Sequence, residues 1–217
     1  MFRHKIWSAI ALLCLALLTA VAGNLQSQDP QPSDEEKKMQ EAMERWMATM
    51  NPGDQHAALE PMVGEFTATT KMWMDPSAEP MVSTGSCKNT WILGKRFVQS
   101  SFKGTMTMPG ENGQMHEMPF EGIATTGYDR YRNIYVSTWI DNMSTSMWIS
   151  RGTTPDGKVF NFYGEMDEPM MNITGRMVKE TIRIVDKDTH VMEMFDLAAG
   201  DNYKVMQITY KRAKTND

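Results

Sequence analysis

The sequence predicts an all-β fold: an antiparallel up-and-down barrel of about ten strands, preceded by one or two N-terminal helices. Three observations carry that prediction. From Val63 onward the hydrophobic period is two, with Phe66, Ala68, Thr70 and Met72 alternating with Glu65, Thr67, Thr69 and Lys71. Turn clusters then recur at short intervals, with no helical stretch between them long enough for a parallel crossover. Finally, the segment from Gly127 to Asp141 reads as a turn followed by a long strand with large side chains on both faces. Such a strand belongs in a sheet covered on both sides or closed on itself, and closure also removes exposed edges.

The chain begins with a targeting pattern. Arg3, His4 and Lys5 precede an apolar run from Ile6 to Val21 that only Ser8 and Thr19 interrupt. Ala20-Val21-Ala22 is a small-residue cleavage signature, so residues 1–22 are expected to be a signal peptide cut near Ala22. A signal anchor is the rival reading, but the run is short for a membrane span. Leu13 precedes Cys14 where lipid modification needs a small residue, which argues against a lipoprotein. The expected destination is the periplasm or the exterior, with no stable membrane association after cleavage.

Cleavage changes the inventory. The whole chain has 22 basic and 27 acidic residues, a net charge of −5; loss of Arg3 and Lys5 takes the basic count to 20 and the charge to −7. That balance argues against nucleic acid and anionic membranes as partners. Cys87 becomes the only thiol, so no internal disulfide can form and a hydrophobic core must supply the stability.

Residues 23–32 are polar and are expected to be a disordered linker. A helix is expected over 33–53. Ser33 and Glu36 form a capping box, and Met39, Ala42, Met43, Trp46, Met47 and Met50 recur at helical spacing until Asn51-Pro52-Gly53 stops it. This amphipathic helix either closes one barrel end or docks to a partner. A second short helix is expected from Asp54 to Glu60, with Asp54 as cap and Pro61 as terminator.

The barrel domain is placed at 54–213. After the strand around Phe66 to Met72, strands are expected at Met81–Trp91, Arg96–Met108, Met115–Thr126, Arg132–Asp141, Thr145–Arg151, Lys158–Met166, Arg176–Val185, His190–Leu197 and Tyr203–Arg212. The turns between them are Asp75-Pro76, Leu93-Gly94-Lys95, Pro109 to Gly113, Gly127-Tyr128-Asp129, Pro155-Asp156-Gly157, Asp186-Lys187-Asp188 and Gly200-Asp201-Asn202.

Several of these segments carry a resemblance. Leu93-Gly94-Lys95-Arg96-Phe97, Pro119-Phe120-Glu121-Gly122, Gly127-Tyr128-Asp129, Tyr135 to Asp141, Gly164-Glu165 and Ile208-Thr209-Tyr210 resemble the bacterial domain-of-unknown-function family 1579, in the right order from about Leu59 to Arg212. The family is similar to the lipocalin-type barrels, which implies a closed barrel with an internal cavity. It brings no established activity, so it implies no catalytic residue and no cofactor. One departure is Lys95, where the family usually has a second Gly; the tight turn is expected to be less strained here.

No enzyme template is present: there is no Gly-x-Ser-x-Gly elbow, His-Glu-x-x-His, phosphate loop or dinucleotide fingerprint. Beyond the leader the histidines are His56, His116 and His190, with His56 and His190 expected on the solvated surface. Asp129 and Asp141, taken as the two ends of one strand, stand about 40 Å apart at ~3.3 Å per residue, too far for paired acid–base work. Both are expected to be turn residues that bind nearby backbone.

Ligand contacts are expected from Trp73, Trp91, Phe120, Tyr128, Trp139, Trp148 and Phe162, with Trp139 and Trp148 facing each other across a hairpin. The alternative is that these rings fill a solid barrel. Phe162 and Tyr163 are neighbours, so only one points inward. Arg96 and Arg176 are candidate anchors for an acidic head group. Methionine is unusually abundant, with 22 residues. Met106, Met108, His116 and Met118 would share a face if Met108 pairs with His116, a soft donor set suited to Cu(I). Met as an adaptable core filler is the plainer reading. The sequons at Asn142 and Asn172 are incidental in a bacterial family.

The function expected is therefore non-enzymatic binding of a small apolar or amphipathic molecule inside the barrel. The alternatives are a solid interaction module or, less favoured, a periplasmic Cu(I) carrier.

Overall fold

The computed structural model describes residues 32–75, 77–109 and 114–214. The expected signal peptide, the linker up to residue 31 and the tip of the turn after Pro109 lie outside the described residues. The chain divides into two compact units, Met1–Met43 and Glu44–Asp217.

The first helix runs Asp34–Met50. The Ser33 N–H donates to Glu36 Oε2 at 2.7 Å, and the Glu36 N–H donates back to Ser33 Oγ at 3.3 Å, the reciprocal box expected from the sequence. None of its residues is buried, and Met39, Met43, Trp46, Met47 and Met50 are exposed.

Ten antiparallel strands make a closed barrel. They are β1 (Gly64–Met72), β2 (Met81–Ile92), β3 (Phe97–Pro109), β4 (Met115–Asp129), β5 (Ile134–Asp141), β6 (Trp148–Thr153), β7 (Val159–Glu168), β8 (Ile173–Ile184), β9 (Thr189–Asp196) and β10 (Lys204–Arg212). Each pairs with its predecessor, and β10 returns to β1 with Phe66 opposite Arg212 and Met72 opposite Met206. The single continuous sheet whose edges meet is thus present.

One boundary differs in an instructive way. β4 continues through Gly127, Tyr128 and Asp129, so those residues are strand, and the chain reverses only at Arg130 to Asn133. Gly127 belongs in the strand because the Phe97 ring covers it, with Cδ1 only 2.3 Å from where a Cβ would stand. Asp129 then caps the reversal, accepting from the Tyr131 and Arg132 N–H groups at 2.9 and 3.0 Å. Asp129 and Asp141 therefore lie on different strands. With Asp141 opposite Gly122, they are separated by about seven residues along β4, roughly 23 Å at ~3.3 Å per residue.

The chain before β1 plugs one barrel end. A short helix, Asp54–Ala57, starts from Gly53 rather than from a capping Asp54, and Pro61 lies inside a 3-10 turn, Glu60–Met62. Leu59 is fully buried and Met62 nearly so, packed with Val98, Tyr135, Phe160 and Phe162. Each such side chain contributes roughly 1.5–3 kcal/mol by leaving water. The plug's carbonyls would be costly to bury unpaired, and barrel side chains satisfy them. Asn89 Nδ2 donates to Met62 O at 2.7 Å, Arg212 donates to Val63 O at 2.8 Å and Pro61 O at 3.1 Å, and the Tyr135 hydroxyl donates to Gln55 O at 2.8 Å.

Two histidines are not where the sequence suggested. His56 and His190 are both buried, with 5 % exposure each. His56 turns back to accept the Gly53 N–H at 3.1 Å and meets the Tyr128 ring edge-on. His190 occupies an inward position of β9, stacked on Tyr210 and edge-on to Phe66. Apolar packing partners, which the flanking turn residues did not reveal, account for both.

Candidate functional site

The register defines which side chains face the barrel interior. Phe162 and Tyr163 divide as strand geometry requires, with Phe162 buried and Tyr163 exposed. At the plugged end the lumen is packed solid by Tyr135, Phe160 and Phe162. Further along, polar groups appear among the inward positions. Glu180 on β8 stands opposite Phe162 on one side and Met194 on the other. Ser150 stands opposite Gly164 and Ser137. Ser137 and Thr126 share a 2.9 Å hydrogen bond, and the Cys87 thiol donates to Asn89 Oδ1 at 3.1 Å.

Beyond this belt the lining is aromatic and thioether. Trp148, Val178 and Met194 form one cluster, against which Trp139, Met192 and Met206 pack. Trp139 and Trp148 are directly opposite on β5 and β6, as the sequence implied. The rings of this region lie along the wall. A Cβ on Gly122 would sit 2.2 Å from the Trp139 ring, and one on Gly85 would sit 2.8 Å from the Phe102 ring. On Gly164 it would sit 2.7 Å from Trp148 Nε1. Inward glycines thus let large rings fold flat against the sheet instead of projecting across the axis. Inward side chains such as Thr126, Met192, Met206 and Tyr210 keep partial exposure. Accessible surface on a side chain facing the lumen borders either the mouth or space within it.

Several buried polar atoms at inward positions have no hydrogen-bond partner among the described residues: Trp148 Nε1, Ser150 Oγ, Arg176 Nε and His190 Nδ1. No hydrogen bond or ion pair among the described residues reaches the Glu180 carboxyl either. Desolvation pushes that carboxyl up to about 7. Burial lowers His190 to about 4, helped by the Arg212 charge, so its ring is neutral near pH 7. Burial raises the Cys87 thiol to about 12, which makes it a poor nucleophile. The Tyr210 hydroxyl is raised well above its usual value by burial, with Cys87 and Glu180 adding to the effect.

The other residues singled out from the sequence fall elsewhere. Trp73 lies beyond the end of β1, where the Lys204 ammonium covers its ring. Trp91 and Tyr128 pack against the plug, and the Trp91 indole donates to Glu60 Oε2 at 2.8 Å. Phe120 stacks with Trp139 and meets Phe102 edge-on. Arg96 is not in the lumen: it donates to the Leu93 carbonyl at 3.0 Å and to the Met50 carbonyl. Arg176 faces inward but is paired with Asp196. Arg96 is thus taken up by backbone carbonyls, whereas Arg176, though ion-paired, keeps a buried Nε–H with no partner among the described residues. Met106 stands opposite Met118 and Met108 opposite His116, so the backbone register assumed for the methionine hairpin holds. His116 and Met118 are exposed. Lys95 has φ 63°, in the left-handed region, so the turn carries strain there that a Gly would avoid.

The profile of a family described as "Protein of unknown function (DUF1579)" matches residues 51–212, from just before the plug to the last residue of β10. The chain belongs to this family. A comparison with curated proteins finds no match. Among solved structures, a redesigned β-barrel is similar at 11 % identity, covering 72 % of this chain and 96 % of that one, with a TM-score of 0.37.

Glu180, Ser150, Tyr210, His190 and Cys87 were not singled out from the sequence. One signal was available. In β8 the inward phase reads Val178, Glu180, Ile182, Ile184, so a carboxylate stands in the apolar phase of the strand.

Proposed function

We propose that this protein is exported and that its barrel lumen holds a small apolar or amphipathic molecule without acting on it chemically. The observation that carries the reading is the placement of the aromatic rings. Trp139, Trp148 and Phe102 lie against inward glycines, which lines the lumen wall with apolar surface. The buried indole, hydroxyl and imidazole atoms without partners add the few polar groups that orient a guest. Mass spectrometry under native conditions after gentle purification tests this. A co-purifying mass of a few hundred daltons, or quenching of tryptophan emission by a panel of lipids and pigments, is the expected result. A bare protein that no apolar probe quenches counts against it.

The second reading is an interaction module that uses the outer wall. It is favoured by Ile123, Ile140 and Ile149, outward and exposed on the consecutive strands β4, β5 and β6. Concentration-dependent self-association, lost when Ile140 and Ile149 are replaced by Thr, would support that reading.

A further inference from the structure

We infer that the guest of the lumen carries a protonated amine at its buried end, seated against Glu180, with its apolar remainder lying along Trp139 and Trp148. This rests on the lumen-binding reading and goes beyond it by naming the chemical class of the guest.

Glu180 is 7 % exposed, sits between Phe162 and Met194 in register, and has no hydrogen-bond or ion-pair partner among the described residues. The two arginines at inward positions among the described residues already have carboxylate partners, although Arg176 Nε remains without a hydrogen bond. Arg212 spends its guanidinium on the Val63, Pro61 and Lys187 carbonyls and on Asp188, and Arg176 is paired with Asp196. Glu180 is opposite Phe162, and Gly164, the next inward position of β7, is opposite Ser150, whose Oγ is buried and unpartnered among the described residues, as is the Trp148 Nε1 that lies against Gly164. The absence of a side chain at Gly164 makes room for the Trp148 indole, whose Nε1 would stand 2.7 Å from a Cβ there.

A carboxylate buried without a partner is costly, and the described residues supply none. An ammonium brings the missing charge and N–H donors, for which Glu180 and Ser150 have accepting oxygens. A carboxylate head would set a second negative charge beside Glu180, and the inward Arg176 and Arg212 are already paired with Asp196 and Asp188. A neutral hydroxyl would fit, with a weaker bond. This is the opposite polarity to the acidic head group that Arg96 and Arg176 suggested.

The test compares octylamine, octan-1-ol and octanoate, which share one tail, by tryptophan quenching and calorimetry at pH 8. Octylamine is expected to bind at least about tenfold more tightly than octanoate, with octanol between them. In Glu180→Gln, octylamine should weaken to within about twofold of octanol while octanol binding persists. The inference is overturned if octanoate binds as tightly as octylamine, or if Glu180→Gln leaves the amine-to-acid ratio unchanged. Should that variant fail to fold by circular dichroism, the order of the three ligands on the unaltered protein decides. Equal binding of all three removes the assignment to Glu180 and leaves the lumen reading standing, whereas no binding by any of them removes both.

Discussion

The Trp139 ring lies across Gly122 of the neighbouring strand, so close that a Cβ on Gly122 would stand 2.2 Å from Cζ2 and 2.3 Å from Cη2. Its indole N–H donates to Oδ2 of Asp141, the residue opposite Gly122, at 2.8 Å. Glycine at 122 and aspartate at 141 together fix the ring against the wall. Gly122→Val must push the ring toward the lumen or break the indole hydrogen bond. A loss of about 2 kcal/mol of stability is expected from such overpacking. The urea midpoint and the Trp139 indole N–H resonance should both move; an unchanged resonance would show that the ring does not depend on Gly122.

Glu180 and His190 make opposing contributions to pH dependence. Glu180 has its folded pKa raised from 4.5 to about 7, so the protonated carboxyl is favoured in the folded state. Its contribution is fully present below about pH 4.5 and is lost as pH rises through 7. His190 is lowered from 6.5 to about 4, so its contribution is present above pH 6.5 and is lost as pH falls toward 4. Each is worth about 3 kcal/mol, and between pH 4.5 and 6.5 the two slopes cancel. Stability should therefore be nearly level in that window. In Glu180→Gln it should fall on acidification from pH 6.5 to 4, and in His190→Gln it should rise on acidification from pH 7 to 4.5. Urea midpoints across this range check both signs; parallel curves for the two variants would contradict the assignment.

Lys95 is a non-glycine residue at φ 63° in the turn between β2 and β3. Its ion pair with Glu60, at 3.4 Å, is largely solvent-exposed and worth little. Lys95→Gly should therefore stabilise the barrel by about 1 kcal/mol through relief of the left-handed conformation. Thermal denaturation measures this, and a lower melting temperature would mean that the contacts of Lys95 outweigh its strain.

Cys87 is buried with its thiol pushed up to about 12, so the folded protein should resist alkylation at pH 8. In a Cys14→Ser background, iodoacetamide modification of Cys87 should follow opening of the barrel and speed up sharply across the denaturant transition. Rapid labelling of the native protein would show that the interior is open to bulk solvent at β2.

The sequence by itself determined the ten-stranded meander, because period-two alternation and closely spaced turns leave an antiparallel sheet few alternatives. It also determined the facing pair Trp139 and Trp148, since both lie a short hairpin apart. The helix start at Ser33 and the Asp129 turn were legible too, because caps and turns are local hydrogen-bond chemistry. Only the tertiary structure decided the rest. The plug at Leu59 and the burial of His56 and His190 depend on partners far along the chain, such as Tyr135, Tyr128 and Tyr210. The burial of Glu180 and Ser150 was decided there too, because each sits at an inward position of a sheet that closes when β10 pairs with β1. That closure is a long-range condition which no local pattern encodes.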